Sequence, residues 1–289
     1  MQKIAIITGA DSGLGREYTQ RIAEDPNLDE VWALAKTPAR MQRLVQDFGQ
    51  QIIPVQIDLT DPSQLADFHR RLTAEQPQIF WLINNAGSGK FGPFEKIKTL
   101  DAVQIVDLNC RAVVAMTSIC LPYMTAGSRI IHTASQAAFQ PLPYFNVYAA
   151  SKAFIDRFSM ALAVELKPRG ISVTSVCPCW MRTPFIMKAK TDTRPSVIRL
   201  FPITNPAPVA QKALADSRKG KSHSIYGILT QISYWAAKLL SQNLIMMIWL
   251  MQQGYSGRTA FQRTCLRGAR SGKESKTRLK SLEMQHDCD

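Results

Sequence analysis

Short apolar runs alternate with amphipathic segments along the first 177 residues of the chain. The apolar runs span five to seven residues and are rich in β-branched side chains, which is typical of buried strands. They lie at Lys3–Thr8, Val31–Ala35, Ile52–Ile57, Ile79–Ile83, Arg129–Thr133 and Ile171–Cys177. Between them apolar residues recur at helical spacing, as at Leu65, Phe68 and Leu72. The alternation predicts an α/β fold, a doubly wound parallel sheet with helices on both faces.

The pattern changes after residue 177. Residues 182–205 contain three prolines and predict a loop-rich insertion. Helical patterns return at 207–219 and 228–252, and the segment after Gly254 is polar, basic and without periodicity. Because no Ser/Gly-rich linker interrupts the series, we expect one domain over residues 1–254, in which 182–252 form a C-terminal helical lid region. Residues 255–289 are expected to be a disordered basic tail.

Leu244–Met251 is the most apolar run of the chain. Eight residues at 1.5 Å each cannot cross the roughly 30 Å of a bilayer core, so a transmembrane helix is not expected. The run either closes over a substrate pocket or rests on a membrane surface, with the basic tail facing anionic headgroups. The lid interpretation is favoured, together with weak or no membrane association.

The chain has 289 residues, of which 46% are hydrophobic and 20% charged, and this excludes disorder for most of it. Its formal net charge of +13 is compatible with a phosphate-bearing ligand and equally with plain solubility, and no nucleic-acid partner is expected. The six cysteines show no disulfide framework, and Cys177 and Cys179 lack a second ligand pair. We therefore expect reduced thiols, a cytoplasmic protein, no metal site and no secretory signal.

The first predicted strand ends in a glycine-rich turn, Thr8-Gly9-Ala10-Asp11-Ser12-Gly13-Leu14-Gly15, and a predicted helix follows. Glycines permit a tight turn and close approach of a ligand, while a helix N-terminus offers free N–H groups to a phosphate. The alternative is a turn without a ligand. In the strand-turn-helix context, the sequence favours binding of a dinucleotide.

Tyr148 and Lys152 lie four residues apart at the start of a predicted helix, so their side chains project from one face. A nearby ammonium favours the phenolate, and we expect Lys152 to lower the pKa of Tyr148 from its usual value of about 10. Such a pair suits proton transfer to a carbonyl oxygen. An ordinary exposed Lys and half-buried Tyr are the alternative. Ser135 adds a hydroxyl at the carboxyl edge of the sheet, where open α/β folds bind ligands.

These motifs, in this order, resemble those of the short-chain dehydrogenase/reductases over residues 1 to about 184. The resemblance implies a Rossmann-type oxidoreductase that uses a nicotinamide dinucleotide. It implies a catalytic tetrad of Asn109, Ser135, Tyr148 and Lys152. The implied cofactor-binding residues are Thr8, Gly9, Ser12, Gly13, Leu14, Gly15, Lys36, Asp58, Asn85, Ala86, Gly87, Tyr148, Lys152, Pro178 and Thr183.

The implied reaction is hydride transfer between the nicotinamide and a carbonyl carbon. Tyr148 is then the proton donor in reduction, Ser135 holds the substrate oxygen, and Lys152 binds the nicotinamide ribose. Asn109 positions a water for proton relay, or else is a core amide whose hydrogen bonds are satisfied. Cys179 stands where the family usually has glycine, and we interpret it as a neutral substitution rather than a reactive thiol.

Cofactor choice is predicted from the end of the second strand. Ala35 occupies the place of an acidic residue that would bind a ribose 2′-hydroxyl, and the basic residues Lys36 and Arg40 follow. Cations at this position suit a 2′-phosphate, so NADP(H) is expected in preference to NAD(H).

Aromatic and methionine residues cluster around the expected site, which suggests a bulky apolar ketone or alcohol such as a steroid, a lipid or an aromatic carbonyl. They are Phe139, Leu142, Tyr144, Phe145, Trp180, Met181, Phe185 and Met187. Several could equally pack a lid. The long helices at 100–124 and 146–166 resemble those that pair subunits in the family and imply a homo-oligomer. The alternatives are a catalytically silent dinucleotide-binding redox sensor and a membrane-surface lipid-binding protein.

Overall fold

The structure is a computed structural model that describes residues 2–193 and 195–264. The chain divides into two compact units, one ending at Leu240 and the other beginning at Ser241. The first unit contains nine strands, β1 (Lys3–Thr8), β2 (Glu30–Ala35), β3 (Ile52–Gln56), β4 (Gln78–Asn84), β5 (Arg129–Thr133), β6 (Ser172–Val176), β7 (Trp180–Met181), β8 (Ile203–Thr204) and β9 (His223–Ser224). Its helices are α1 (Gly13–Ala23), α2 (Pro38–Phe48), α3 (Pro62–Glu75), α4 (Thr99–Val106), α5 (Ala112–Cys120), α6 (Asn146–Leu166), α7 (Pro184–Ala189), α8 (Pro206–Arg218) and α9 (Ile228–Leu239).

Seven of these strands form one parallel sheet in the order β3-β2-β1-β4-β5-β6-β9, and β7 and β8 pair separately. Alternate residues of β1 face opposite layers, with Ile4 and Ile6 in one hydrophobic cluster and Ala5 and Ile7 in the other. Both faces are covered, which explains why the strands are apolar throughout rather than alternating. The predicted doubly wound α/β fold of Rossmann type is confirmed.

The predicted helix at 100–124 is interrupted. A π-helical turn, Asp107–Arg111, separates α4 from α5. Together with that turn, the helical stretch Thr99–Tyr123 is long and apolar enough, by length and composition alone, to cross a membrane. Its inner face includes Ala112, Met116 and Cys120, which pack in the core beside the sheet.

The second unit contains α10 (Gln242–Gln252) and α11 (Gly257–Thr264), which pack together. The expectation of irregular structure after Gly254 does not hold at Gly257–Thr264. Ser256 receives a hydrogen bond from the backbone N–H of Thr259 at 3.3 Å, as a helix-capping residue does. Ala260 and Thr264, four positions apart, are buried. The rest of the predicted tail, 265–289, lies outside the described residues, and the predicted domain bounds and lid remain predictions.

Candidate active site

The end of β1 is tied to the end of β4 by the Thr8 side chain. Thr8 Oγ1 accepts hydrogen bonds from the backbone N–H groups of Asn85 at 2.9 Å and Ala86 at 3.0 Å. The Asn85 amide donates in return to the backbone oxygens of Thr8 and Gly9, both at 3.3 Å. Gly87 follows directly. Four of the predicted cofactor residues therefore border the glycine-rich turn at the carboxyl edge of the sheet.

The turn itself has the backbone geometry of a phosphate cradle. Gly9 has φ +62° and Gly13 has φ +52°, values that favour glycine. A Cβ on Gly15 would stand 2.0 Å from the Gly9 carbonyl oxygen, so α1 can approach the turn only with glycine there. Helix α1 begins after Ser12 with no acidic residue in its first turn, and Leu14 anchors it in the core. The residues fit a dinucleotide, whose pyrophosphate would lie at this helix N-terminus.

Thr183 closes the other side of the cradle. A Cβ on Gly13 would come within 2.9 Å of Thr183 Cγ2, which places Thr183 directly over the turn. Pro178 lies two residues after the end of β6, and its carbonyl oxygen accepts a hydrogen bond from the Gln136 N–H at 2.8 Å. That bond joins the predicted nicotinamide side of the site to the segment that follows Ser135.

Two ion pairs lie at the predicted adenosine end. Lys36 Nζ is 2.6 Å from Asp58 Oδ2, and Arg40 is 3.6 Å from Asp11. Burial opposes ionisation of Asp58, but hydrogen bonds from Lys36 and Thr60 hold its pKa below the usual value. The Lys36 ammonium is exposed, so the cation predicted to meet a 2′-phosphate lies at the surface.

Tyr148 lies in the first turn of α6 and its hydroxyl is hydrogen-bonded with the Ser135 side chain. Its ring stacks on Phe145 at 4.2 Å and contacts Phe185 at 5.3 Å. Burial raises the pKa of Tyr148 to about 12, although the bond with Ser135 works in the other direction. At neutral pH the hydroxyl therefore keeps its proton.

Lys152 Nζ donates a hydrogen bond to the Thr133 carbonyl at 2.6 Å and lies 5.6 Å from the centre of the Tyr148 ring. Burial lowers the pKa of Lys152 to about 8. The expectation that Lys152 lowers the pKa of Tyr148 is wrong for this arrangement. The ammonium points to a carbonyl, and removal of the phenol from water has the larger effect.

Asn109 lies in the π-helical turn and is fully buried. Its amide donates to the Ser88 carbonyl and to Ser151 Oγ, and its oxygen accepts from the Ser88 N–H, each at 2.9 Å. A Cβ on Gly87 would lie 3.1 Å from Asn109 Oδ1 and 3.3 Å from Lys152 Nζ. The structure thus places Asn109 Oδ1 and Lys152 Nζ beside the same side of Gly87.

A cleft of about 300 Å³ runs beside these residues. Its lining combines the glycine-rich turn, the segment after β4 and helix α7, and includes Ser12, Gly87, Ser88, Asp101, Phe185 and Lys188. No group of three His, Cys, Asp or Glu side chains within residues 2–193 and 195–264 could hold a metal ion.

Burial raises the pKa of the Cys179 thiol, and the neighbouring Thr230 side chain offsets only part of this effect. Thiolates are the reactive form, so the raised pKa favours the neutral-substitution interpretation of Cys179.

Of the predicted apolar lining, Phe145 and Leu142 are buried in the protein, whereas Trp180 and Phe185 are half-buried. Met187 is exposed.

Sequence reasoning missed two groups near the site. Phe91 is buried and packs edge-on against Phe145 at 4.6 Å and Trp180 at 5.9 Å, and no local signal marks it. Asp156 accepts hydrogen bonds from Ser175 Oγ at 2.7 Å and is 3.0 Å from His223 Nε2. The sequence could have indicated the cluster of Asp156, Ser175 and His223, because Asp156 lies four residues after Lys152, one turn further along the same helix face.

The comparisons agree with this geometry. The short chain dehydrogenase family model matches residues 3–194. The NADP-dependent 3-hydroxy acid dehydrogenase YdfG of Salmonella typhi is 31% identical over 178 residues, 61% of this chain and 71% of that protein. The very-long-chain 3-oxoacyl-CoA reductase of Anas platyrhynchos is 29% identical over 209 residues, 69% of this chain and 65% of that protein.

A solved short-chain dehydrogenase from Sphingobium yanoikuyae, in complex with NADPH, superposes with a TM-score of 0.70 and 26% identity. The match covers 85% of this chain and 95% of that one. The family model spans well over half of the sequence, and the fold agrees with it. The chain therefore belongs to the short-chain dehydrogenase family, oxidoreductases that act on hydroxyl and carbonyl groups with a nicotinamide dinucleotide.

Proposed function

We propose that the chain is an NADP(H)-dependent oxidoreductase that interconverts a ketone and a secondary alcohol on a bulky apolar substrate. The supporting observation is the Tyr148 hydroxyl, hydrogen-bonded with Ser135 and surrounded by aromatic rings, with Lys152 beside it. A catalytically silent redox sensor would have no use for this pair. Turnover of any carbonyl in a mixed panel with NADPH separates the two functions.

Ser135 and Tyr148 have separate roles in the proposed proton transfer. When bound, the nicotinamide supplies or accepts the hydride at the substrate carbon. Ser135 orients the substrate oxygen toward Tyr148, which holds its proton at neutral pH because its pKa is raised to about 12. A group that keeps its proton can act as a donor, so we propose that Tyr148 protonates the substrate oxygen when a carbonyl is reduced.

Cofactor preference rests on Lys36 and Arg40. A 2′-phosphate would compete with Asp58 for the exposed Lys36 ammonium and could share the Arg40 guanidinium, now 3.6 Å from Asp11. The NADP dependence printed for YdfG and the NADPH in the Sphingobium structure support the same choice. We expect Lys36→Ala to weaken NADPH binding about tenfold, the order of one charge-assisted hydrogen bond, with little effect on NADH.

Titration of both cofactors by fluorescence measures this preference, with exposed Lys167→Ala as the matched control. Tighter binding of NADH than NADPH by the wild type, or equal loss of both in Lys36→Ala, contradicts the proposed preference.

The substrate class rests on the half-buried rings of Trp180 and Phe185 and on the contact between Phe185 and Tyr148. A very-long-chain substrate is printed for the Anas relative, which is consistent with an apolar site. A panel of steroid, acyl and aryl ketones, against small ketones of equal carbonyl reactivity, tests the class. We expect the bulky compounds to show kcat/KM at least tenfold higher, and equal values contradict the class.

A homo-oligomer is also proposed. Helices α4, α5 and α6 expose large apolar side chains, namely Leu100, Val103, Val106, Val114, Phe154 and Val164. A second copy of the chain would cover them. Light scattering at micromolar concentration should give at least a dimer mass, and Val106→Asp should lower it.

The free thiols of Cys110, Cys120, Cys177 and Cys179 suit the proposed cytoplasmic location, which cell fractionation can test.

A further inference from the structure

Helix α9 is amphipathic, but its small or polar side chains face inward and its large apolar side chains face outward. Its buried or half-buried positions, Thr230, Ser233, Tyr234 and Ala237, recur at i, i+3, i+4 and i+7 and are small or polar. Its exposed positions are mostly large and apolar, and they include Ile228, Leu229, Ile232, Trp235 and Leu239. Ile228 is 77% exposed, Trp235 59% and Leu239 80%. A helix at a protein surface normally buries such side chains.

The inner face of α9 is fixed to the active-site wall. The Tyr234 ring meets the Phe139 ring at 5.0 Å, and Phe139 ends the short helical segment that follows Ser135. Thr230, on the same face of the helix, is buried at 1% exposure. These contacts hold the helix in one orientation, so the apolar face, which begins at Ile228, points away from the first unit.

The part of the first unit that leads into and contains α9 is basic. Residues 195–240 contain six Lys and Arg but one Asp or Glu, a net charge of +5. That one carboxylate, Asp216, is buried and lies 2.8 Å from Lys212 and 2.9 Å from Lys221. Lys219 and Lys221 are exposed just before β9, and Lys238 is exposed on α9 itself.

Lys238 flanks the apolar face rather than interrupting it. Its Nζ lies 4.3 Å from the centre of the Tyr234 ring and 5.3 Å from that of Trp235. The ammonium thus lies over these two rings at the border of the apolar face, where a lipid phosphate can reach it. Tryptophan is likewise enriched at that depth.

We propose that α9 binds the surface of a bilayer that contains anionic lipid. The apolar side chains would enter the boundary between headgroups and acyl chains, and the surrounding cations would face the phosphates. A second copy of the chain fits this face less well, because two surfaces of the same strong positive charge would repel. The proposal concerns surface binding, and it holds whether or not the substrate is a lipid.

The test is sedimentation of the full chain with vesicles of phosphatidylcholine alone or with 30 mol% phosphatidylglycerol. We expect most of the protein to bind the anionic vesicles at about 0.05 M salt, little to bind neutral ones, and binding to fall at least fivefold at 0.5 M salt. Absence of binding to anionic vesicles overturns the proposal.

Variants locate the binding face. Ile232→Gln combined with Trp235→Gln should lower the bound fraction at least fivefold, and Lys238→Gln should lower it less. Phe94→Gln, which removes an exposed ring elsewhere on the first unit, should leave it unchanged. NADPH titration and far-UV circular dichroism verify that each variant is folded. Binding that survives the α9 changes but is lost on truncation after Thr264 overturns the proposal, as does a fall in oligomer mass caused by the α9 changes without loss of vesicle binding.

Discussion

Helices α6 and α9 both turn polar side chains inward, but they do so for different purposes. On α6 the inward groups Lys152, Asp156 and Ser159 each have a hydrogen-bond partner deep in the protein. On α9 the inward face meets the active-site wall through small groups and one ring, while its bulky apolar side chains face outward. The comparison shows that polar side chains on the inner face of a helix can supply catalytic groups, as proposed for α6. They can also merely attach the helix to the protein so that its outer face is available for binding, as proposed for α9.

Both helices also expose apolar side chains. On α6 these are Phe154 and Val164, for which we propose another subunit, whereas on α9 the apolar face is flanked by the exposed Lys238. The inner face of α6 should therefore control chemistry and stability, whereas the outer face of α9 should control neither.

The largest effect is expected from Tyr148→Phe on α6. The change removes the proton donor without altering the glycine-rich turn, so kcat should fall about 10³-fold while the Kd for NADPH changes less than twofold. Steady-state kinetics and fluorescence titration measure the two quantities, with Tyr123→Phe, which removes a half-buried hydroxyl that bonds with Thr73, as control. More than a tenth of wild-type kcat in Tyr148→Phe would exclude the proposed donor.

Asp156→Ala on α6 should lower the free energy of unfolding by about 3 kcal/mol, because His223 and Ser175 lose a buried acceptor. Urea denaturation measures the loss. Asp67→Ala on α3, an exposed ion-paired carboxylate, should change the free energy by less than about 0.5 kcal/mol. Equal effects of the two changes would mean that the inward carboxylate of α6 does not stabilise the fold.

His132 links β5 to α6 and predicts a pH dependence. It is 2.9 Å from Ser159 Oγ and 3.1 Å from Thr117 Oγ1, and burial lowers its pKa from 6.5 to about 3. The unfolded chain therefore binds a proton that the folded one does not, and stability falls as pH drops from 6.5 toward 3. The loss from this residue at pH 5 is about 2 kcal/mol.

Urea denaturation at pH 7.5 and pH 5.0 measures the dependence, and His132→Asn removes the titrating ring. The variant should be less stable at pH 7.5 yet lose about 2 kcal/mol less between the two values. An unchanged difference would show that carboxylates, not His132, govern the acid sensitivity.

The smallest effect is expected from the outer face of α9. Ile232→Gln exchanges one exposed side chain for another and should change the free energy of unfolding by less than about 0.5 kcal/mol. Ile155→Ala on α6, at 1% exposure, should cost about 3 kcal/mol. A loss above about 1 kcal/mol in Ile232→Gln would mean that this face is packed in solution.

The sequence predicted most of the first unit because strand and helix periods there coincide with tertiary burial. Lys3–Thr8, Arg129–Thr133 and Asn146–Leu166 form elements with the predicted bounds. The structure also brings Asn109, Ser135, Tyr148 and Lys152 together, although their roles remain predictions. The strand His223–Ser224 was missed, because two residues carry no periodicity.

The direction of α9 and the pKa of Tyr148 could not be predicted. Periodicity shows that a helix has an apolar face but not whether that face points inward. Similarly, the spacing of Tyr148 and Lys152 predicts proximity, whereas the pKa depends on how much water the surrounding rings exclude. Phe91 illustrates the same limit, because it lies 54 positions before Phe145 in the chain.

The π-helical turn at Asp107–Arg111 also sets the rotational phase of the helix that contains it. Val106 and Val114 are eight positions apart, which in a regular helix separates their directions by about 80°. One extra residue in the turn shifts that by about 100° and leaves roughly 20° between them. The same π-helical turn that contains Asn109 thus places Val106 of α4 and Val114 of α5 on the same exposed side of the helix. Removing one residue from the turn should therefore rotate Asn109 away from Ser88 and Ser151 and, at the same time, separate the directions of Val106 and Val114.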